Sequence, residues 1–167
     1  MTRQDTIIKW AAYLIAMWLV AVVNYYVLGP LPMALPLLLP VLAVAGGTLE
    51  GAPFGAVYGA AAGLVMSSQG HLGFGCIAAL AAIGWASGLA AQYLLRRDVL
   101  GHIICSAITL AGWELWEVGR RLLAHVAPLE VLLKVAVPEL LWSLAFILPV
   151  YWVGRFCCVN YGRIYHE

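Results

Sequence analysis

An all-α, polytopic bundle of about six transmembrane helices is the fold class this sequence predicts, and three observations predict it. Of its 167 residues 64% are hydrophobic and only 10% charged, a balance that soluble domains do not reach. Apolar runs of about 20 residues, the length that crosses a bilayer, occupy nearly the whole chain, so residues 1–167 are expected to form one integral membrane domain. The third observation is a ladder of glycines, Gly47, Gly51, Gly55, Gly59 and Gly63, recurring at every fourth position. Four residues advance a helix by about 400°, which makes such a ladder a slowly drifting stripe without side chains. Glycines weaken a helix in water, whereas in lipid small residues let two helices approach closely.

The elements follow in order. Arg3 and Lys9 precede an apolar run over residues 10–28. It is longer than a signal-peptide core and lacks a small-x-small cleavage pattern, so it reads as an uncleaved first helix. Gly29, Pro30 and Pro32 turn the chain into a second segment, residues 33–45, broken by Pro36 and Pro40. With Gly46, Gly47 and Thr48 it barely spans, as either one kinked helix or two shallow segments. Glu50 and Pro53 open the glycine-ladder helix, which ends near residues 67–70. There Ala52, Ala56, Ala60 and Ala62 widen the smooth face. Gly51, Gly55, Gly59 and Gly63, with Gly73 beyond, are the candidate seam, for packing inside the bundle or against a partner helix.

Residues 72–95 form a fourth helix, with Gly73, Gly75, Gly84, Ser87 and Gly88 as a small face and a stop at Arg96, Arg97 and Asp98. A fifth covers residues 99–123. The sixth runs over residues 131–153, is shaped by Pro138 and Pro149, and is followed by Arg155 and Arg163. Six crossings place both termini on one side. Arg3, Lys9, Arg96, Arg97, Arg155 and Arg163 fall there, against Arg120, Arg121 and Lys134 opposite, so the termini are expected in the cytoplasm.

Composition also excludes functions. A net charge of +1 with dispersed basic residues offers no nucleic-acid patch. Cys76, Cys105, Cys157 and Cys158 lie in or beside apolar segments without metal-ligand spacing and read as small buried hydrophobes. The chain has no Gly-x-Ser-x-Gly, His-Glu-x-x-His, phosphate loop or Cys-x-x-Cys, so no catalytic residue, cofactor or metal is assigned and no enzyme is expected. His102 and Cys105 share a helix face, but two ligands without a third read as packing residues. His71 reads as a loop histidine. Asn24, beside Tyr25 and Tyr26 near the end of the first helix, reads as part of the interfacial belt.

The one charged cluster inside a helix is Glu114, Glu117 and Arg121, which share a face at helical spacing. Glu117 and Arg121 stand in the favourable i, i+4 order and read as an intrahelical ion pair at the membrane surface. Glu114 lies a turn deeper with no basic residue four positions away, and Trp113 and Trp116 flank it at headgroup level. A carboxylate of this kind is a functional candidate by default. It is expected to find its partner on another helix, with Glu139 beside Pro138 as the counterpart on helix six.

Two stretches carry a resemblance. Residues 59–67, Gly-Ala-Ala-Ala-Gly-Leu-Val-Met-Ser, followed by Leu72, Gly73 and Phe74, resemble the glycine-rich third segment of the rod shape-determining membrane protein MreD family. Pro138, Glu139, Leu140, Leu141, Trp142 and Ser143, then Leu148, Pro149, Val150 and Tyr151, follow that family's pattern of two prolines about eleven residues apart with an aromatic after the second. Length and helix count agree, and the resemblance covers residues 46–155. Where the family usually has a Phe and an Asp, this chain has Ala60 and Ser67. The resemblance implies a non-enzymatic component of the bacterial inner membrane, in the cell-elongation (rod shape, peptidoglycan synthesis) machinery. It would scaffold the single-span protein MreC and, through it, the peptidoglycan synthases and the actin-like MreB. The alternative is the small six-helix substrate-binding subunit of an energy-coupling-factor vitamin transporter, a fold to which MreD-like proteins are similar. That reading makes Ala12, Ala16 and Gly59 docking residues. It also requires a polar pocket on the extracellular side, for which Trp113, Glu114, Trp116 and Glu117 are candidates, and only under it is a small-molecule ligand expected.

Overall fold

The structure, a computed structural model, describes residues 3–29, 35–68, 75–94, 98–125 and 128–161. These form α1 (Arg3–Val22, continued by a π-helical turn, Val23–Leu28), α2 (Leu38–Glu50), α3 (Ala52–Ser68), α4 (Gly75–Tyr93), α5 (Val99–Leu123), α6 (Leu129–Ala145) and α7 (Ile147–Tyr161). Four segments are long and apolar enough to cross a bilayer: Thr6–Leu28, Gly75–Tyr93, Val99–Leu123 and Leu129–Val159, of 23, 19, 25 and 31 residues. The protein is a multi-pass, all-α membrane protein. Since α6 and α7 are one rod broken at Phe146, the described residues make six helical units.

The centre of the bundle is α2. Its 13 residues rise about 20 Å, well short of the about 30 Å hydrocarbon core. A helix too short to span is stable where protein covers it. Every residue from Leu38 to Thr48 is buried, in keeping with a sequence that is apolar all round. The second segment is thus one helix rather than two shallow pieces, and it lies further along the chain than residues 33–45; Met33 and Ala34 are outside the described residues. Pro40 occupies the third helical position, where a backbone N–H would lack an intrahelical acceptor in any case.

The glycine ladder divides between two helices. Gly47 belongs to α2, and Gly51 is the hinge to α3, with φ +109°, a conformation that side chains disfavour. Gly55, Gly59 and Gly63 then run along α3 directly against the backbone of α4. A Cβ added at Gly59 would come 2.8 Å from Leu80 C, and one at Gly63 2.6 Å from Ile77 Cα. On the facing helix Gly84 meets Gly55 and Gly88 meets Ala52. Two small faces, on α3 and α4, therefore close on each other, while Gly47 reaches the same spot from α2. Gly73 lies outside the described residues.

Pro149 explains the interruption of the last rod. It lacks the N–H that would bond Ala145 O, so the helix stops at Phe146 and restarts, with the Val150 N–H donating to Phe146 O (3.1 Å). Just before the break, the buried Ser143 hydroxyl donates to Glu139 O (2.7 Å) and accepts the Leu37 N–H (2.8 Å), anchoring the chain as it enters α2. Pro138 lies on the exposed side of α6.

One end of the bundle is locked by a buried ion pair. Lys9 Nζ of α1 lies 2.6 Å from Glu50 Oε1 at the end of α2, with both side chains wholly excluded from solvent. Tyr13 donates to the same oxygen (2.8 Å) and has Gly154 O of α7 at 3.4 Å, while the Tyr58 hydroxyl of α3 donates to Tyr13 O (3.1 Å). Phe54 stacks among these rings, 4.4 Å from Trp10 and 4.9 Å from Tyr13 between centroids. Lys9 is thus an interior residue and not the flanking surface cation that the charge pattern suggests. Deeper in the bundle, buried His102 of α5 sits between Thr48 Oγ1 (3.2 Å from Nδ1) and Ser106 Oγ (3.3 Å from Nε2), against the Tyr151 ring.

Candidate functional site

At the opposite end, the last turns of α1, α3 and α5 meet the first turns of α2 and α6 around a cavity of about 250 Å³. Its polar lining is Asn24, Glu114, Glu117, Arg121 and Glu139; Tyr25, Met66, Trp113, Leu132 and Ala136 give it an apolar wall. Each polar residue is there for a local reason. The π-helical turn Val23–Leu28 is wider than an α-turn and carries Asn24 into the interior, where it is only 4% exposed. Glu114, Glu117 and Arg121 recur at spacings of three and four residues on α5 and so share the inward face. Glu139 arrives from α6, next to Pro138.

The charges divide unevenly. Glu117 binds two arginines: Arg120 Nη2 at 2.8 Å and Arg121 Nη2 at 2.9 Å from Oε1, with Arg120 Nε 3.2 Å from Oε2. The intrahelical pair read from the sequence is present, and Arg120 joins it. Glu114 forms no ion pair or hydrogen bond with either arginine. It is 8% exposed, and its Oε1 has no hydrogen-bond partner within the protein, in contrast to the expectation that another helix would supply one. Asn24 Oδ1 is in the same position. Two buried acceptors therefore line one cavity without a protein donor, a condition that native interiors rarely leave unresolved. Trp113 is buried in the core beside the cavity, whereas Trp116 is 67% exposed, so only the second of the pair stands at the bundle surface.

Asn24, expected from its tyrosine neighbours in the interfacial belt, lies instead in the cavity lining. Its signal was an amide in an otherwise apolar helix, but the rotation that turns it inward comes from the π-helical turn. The Lys9–Glu50 pair has no local signature, because its members lie 41 positions apart and each stands near a helix end. The seam residues Gly55, Gly59 and Gly63 are not among the cavity-lining residues and are covered by α4. Among the described residues no group of three His, Cys, Asp or Glu is placed to hold a metal ion. Cys76, Cys105, Cys157 and Cys158 are free thiols, the first three buried.

A second concavity is apolar. It runs between α1 and α7 from Ile8 and Val159 at one end to Val23 and Phe146 at the other, with Ala12 and Ala16 beneath Ile15, Leu19, Trp152 and Phe156. No family model, curated protein or solved structure matches the chain.

Proposed function

We propose that the chain is a non-enzymatic scaffold of the bacterial inner membrane, of the MreD type, that receives a single-span partner resembling MreC. The observation that carries this reading is the groove between α1 and α7, which follows both helices for most of their length over an alanine floor. Helices associate in lipid through close fit, and small residues at the base of an apolar trough allow close approach. The partner surface differs from the glycine seam, because Gly55, Gly59 and Gly63 already contact α4. On this reading the termini face the cytoplasm and the carboxylate cavity opens on the other side, in line with the distribution of Lys and Arg. Replacing Ala12 by Trp fills the groove floor and is expected to abolish co-purification of the partner from native membranes while the melting temperature stays near that of the parent.

One observation favours a second reading, the substrate-binding subunit of an energy-coupling-factor vitamin transporter. The cavity with its unpartnered Glu114 and Asn24 acceptors is the kind of polar pocket such a subunit needs. Of the docking candidates Ala12 is half-buried on the groove floor, Ala16 is buried beneath it, and Gly59 is enclosed by Leu80 and Ala81. Mass spectrometry of proteins and small molecules co-purified from native membranes separates the two. Recovery of MreC-like and synthase proteins supports the scaffold; recovery of a vitamin with transporter ATPases, and no elongation proteins, overturns it.

A further inference from the structure

We propose that the cavity between α1, α2, α5 and α6 binds an organic cation through its N–H donors, specifically a primary ammonium group. The cavity alone carries this proposal, independently of either reading of the whole protein.

Three features define the ligand. The first is capacity: about 250 Å³ is far beyond the roughly 10–15 Å³ needed for a single water. The second is charge. The lining holds Glu114, Glu117 and Glu139 against Arg121 alone, and Arg121 already gives its Nε and Nη2 to Glu117, as Arg120 does from the rim. Glu117 with its two arginines carries one positive charge in excess, so Glu114 and Glu139, which face the cavity from α5 and α6, leave the cluster with a single net negative charge when both are ionised. An anion meets repulsion there.

The third feature is hydrogen-bonding polarity. The two buried atoms without a protein partner, Glu114 Oε1 and Asn24 Oδ1, are both acceptors, so the complement they lack is a donor. A charged donor on a carboxylate belongs to the stronger class of hydrogen bond, and Met66, Trp113 and Leu132 wall the cavity beside it. A quaternary ammonium offers charge without donors and leaves both oxygens unpaired. A primary ammonium satisfies charge and hydrogen bonding together, and its substituent can lie against the apolar wall.

The ammonium has two possible sources, a free amine or the headgroup of an aminophospholipid, and one set of measurements distinguishes them. The full-length protein is reconstituted in nanodiscs of pure phosphatidylglycerol, and binding of ethanolamine, choline and acetate is titrated. Saturable ethanolamine binding, weaker choline binding and no acetate binding are expected, with Glu114→Gln lowering ethanolamine affinity about ten- to hundred-fold. In nanodiscs that also contain phosphatidylethanolamine, native mass spectrometry reads whether that lipid stays on the parent protein and leaves Glu114→Gln. Retention, with displacement of free ethanolamine, identifies the lipid as the source; ethanolamine binding unaffected by the lipid identifies a free amine. Glu114→Gln keeps the side-chain shape, and Glu139→Gln gives a second variant should the first fail to fold. The proposal is overturned if neither ethanolamine nor phosphatidylethanolamine binds the parent, if choline binds as well as ethanolamine, or if folded Glu114→Gln and Glu139→Gln both bind like the parent. None of these results bears on the groove between α1 and α7.

Discussion

A lysine and a glutamate wholly excluded from solvent form a pair whose members depend on each other. Lys9→Met leaves the Glu50 carboxylate buried without its nearest cation, and breaking such a pair costs about 3–5 kcal/mol. A large fall in thermal stability in detergent is expected for Lys9→Met, and partial recovery when Glu50→Gln is added, since the neutral amide still accepts from Tyr13. An unchanged melting temperature in the single variant would show that the pair contributes little. Tyr13→Phe removes one bond to a charged acceptor and is expected to lose less, about 1.5–3 kcal/mol. The sequence displays all three residues, yet nothing in local spacing joins position 9 to position 50. Glu114, Glu117 and Arg121, by contrast, were legible because helical periodicity alone places them on one face.

At the level of helices, the clearest test is the seam between α3 and α4. Gly59→Leu drives a branched side chain into the backbone of Leu80, and overpacking of this kind costs about 1–3 kcal/mol or more when backbone must move. Reduced expression and a lower melting temperature are expected; parent-like stability would mean that the helices are not in close contact there. Gly75, with nothing near the position of an added Cβ, serves as the control, and Gly75→Ala should be neutral. The four-residue spacing of small residues makes this contact legible in the sequence. The burial of α2 was not, because a short, proline-bearing apolar run looks the same whether it lies shallow in a membrane or is wrapped by other helices. The break at Phe146 was half legible: Pro149 announces an interruption, but the Leu37–Ser143 bond beside it joins segments 106 positions apart.

Considered whole, the bundle is polarised. The ion pair, the α2–α3 hinge and the end of α7 occupy one end, and the carboxylate cavity occupies the other. If the termini are cytoplasmic, as proposed, a single cysteine at exposed Glu130, on a background lacking the native thiols, is expected to react with an impermeant maleimide from outside intact cells. One at exposed Asp98 should react only after the membrane is opened, and the reverse pattern would invert the topology. The locked end also has a consequence for the order in which the protein is made. Lys9 is synthesised 41 residues before Glu50, so until the second helix has followed, the first can keep this cation solvated only at the membrane surface. Tyr13 then bridges to Glu50 and lies near Gly154 of the last helix, so the earliest segment is enclosed only when the final one arrives. The first helix thus acts as a clasp that closes only on the finished chain, and a truncation ending before Gly154 is expected to be degraded faster than the full-length protein in a pulse-chase measurement.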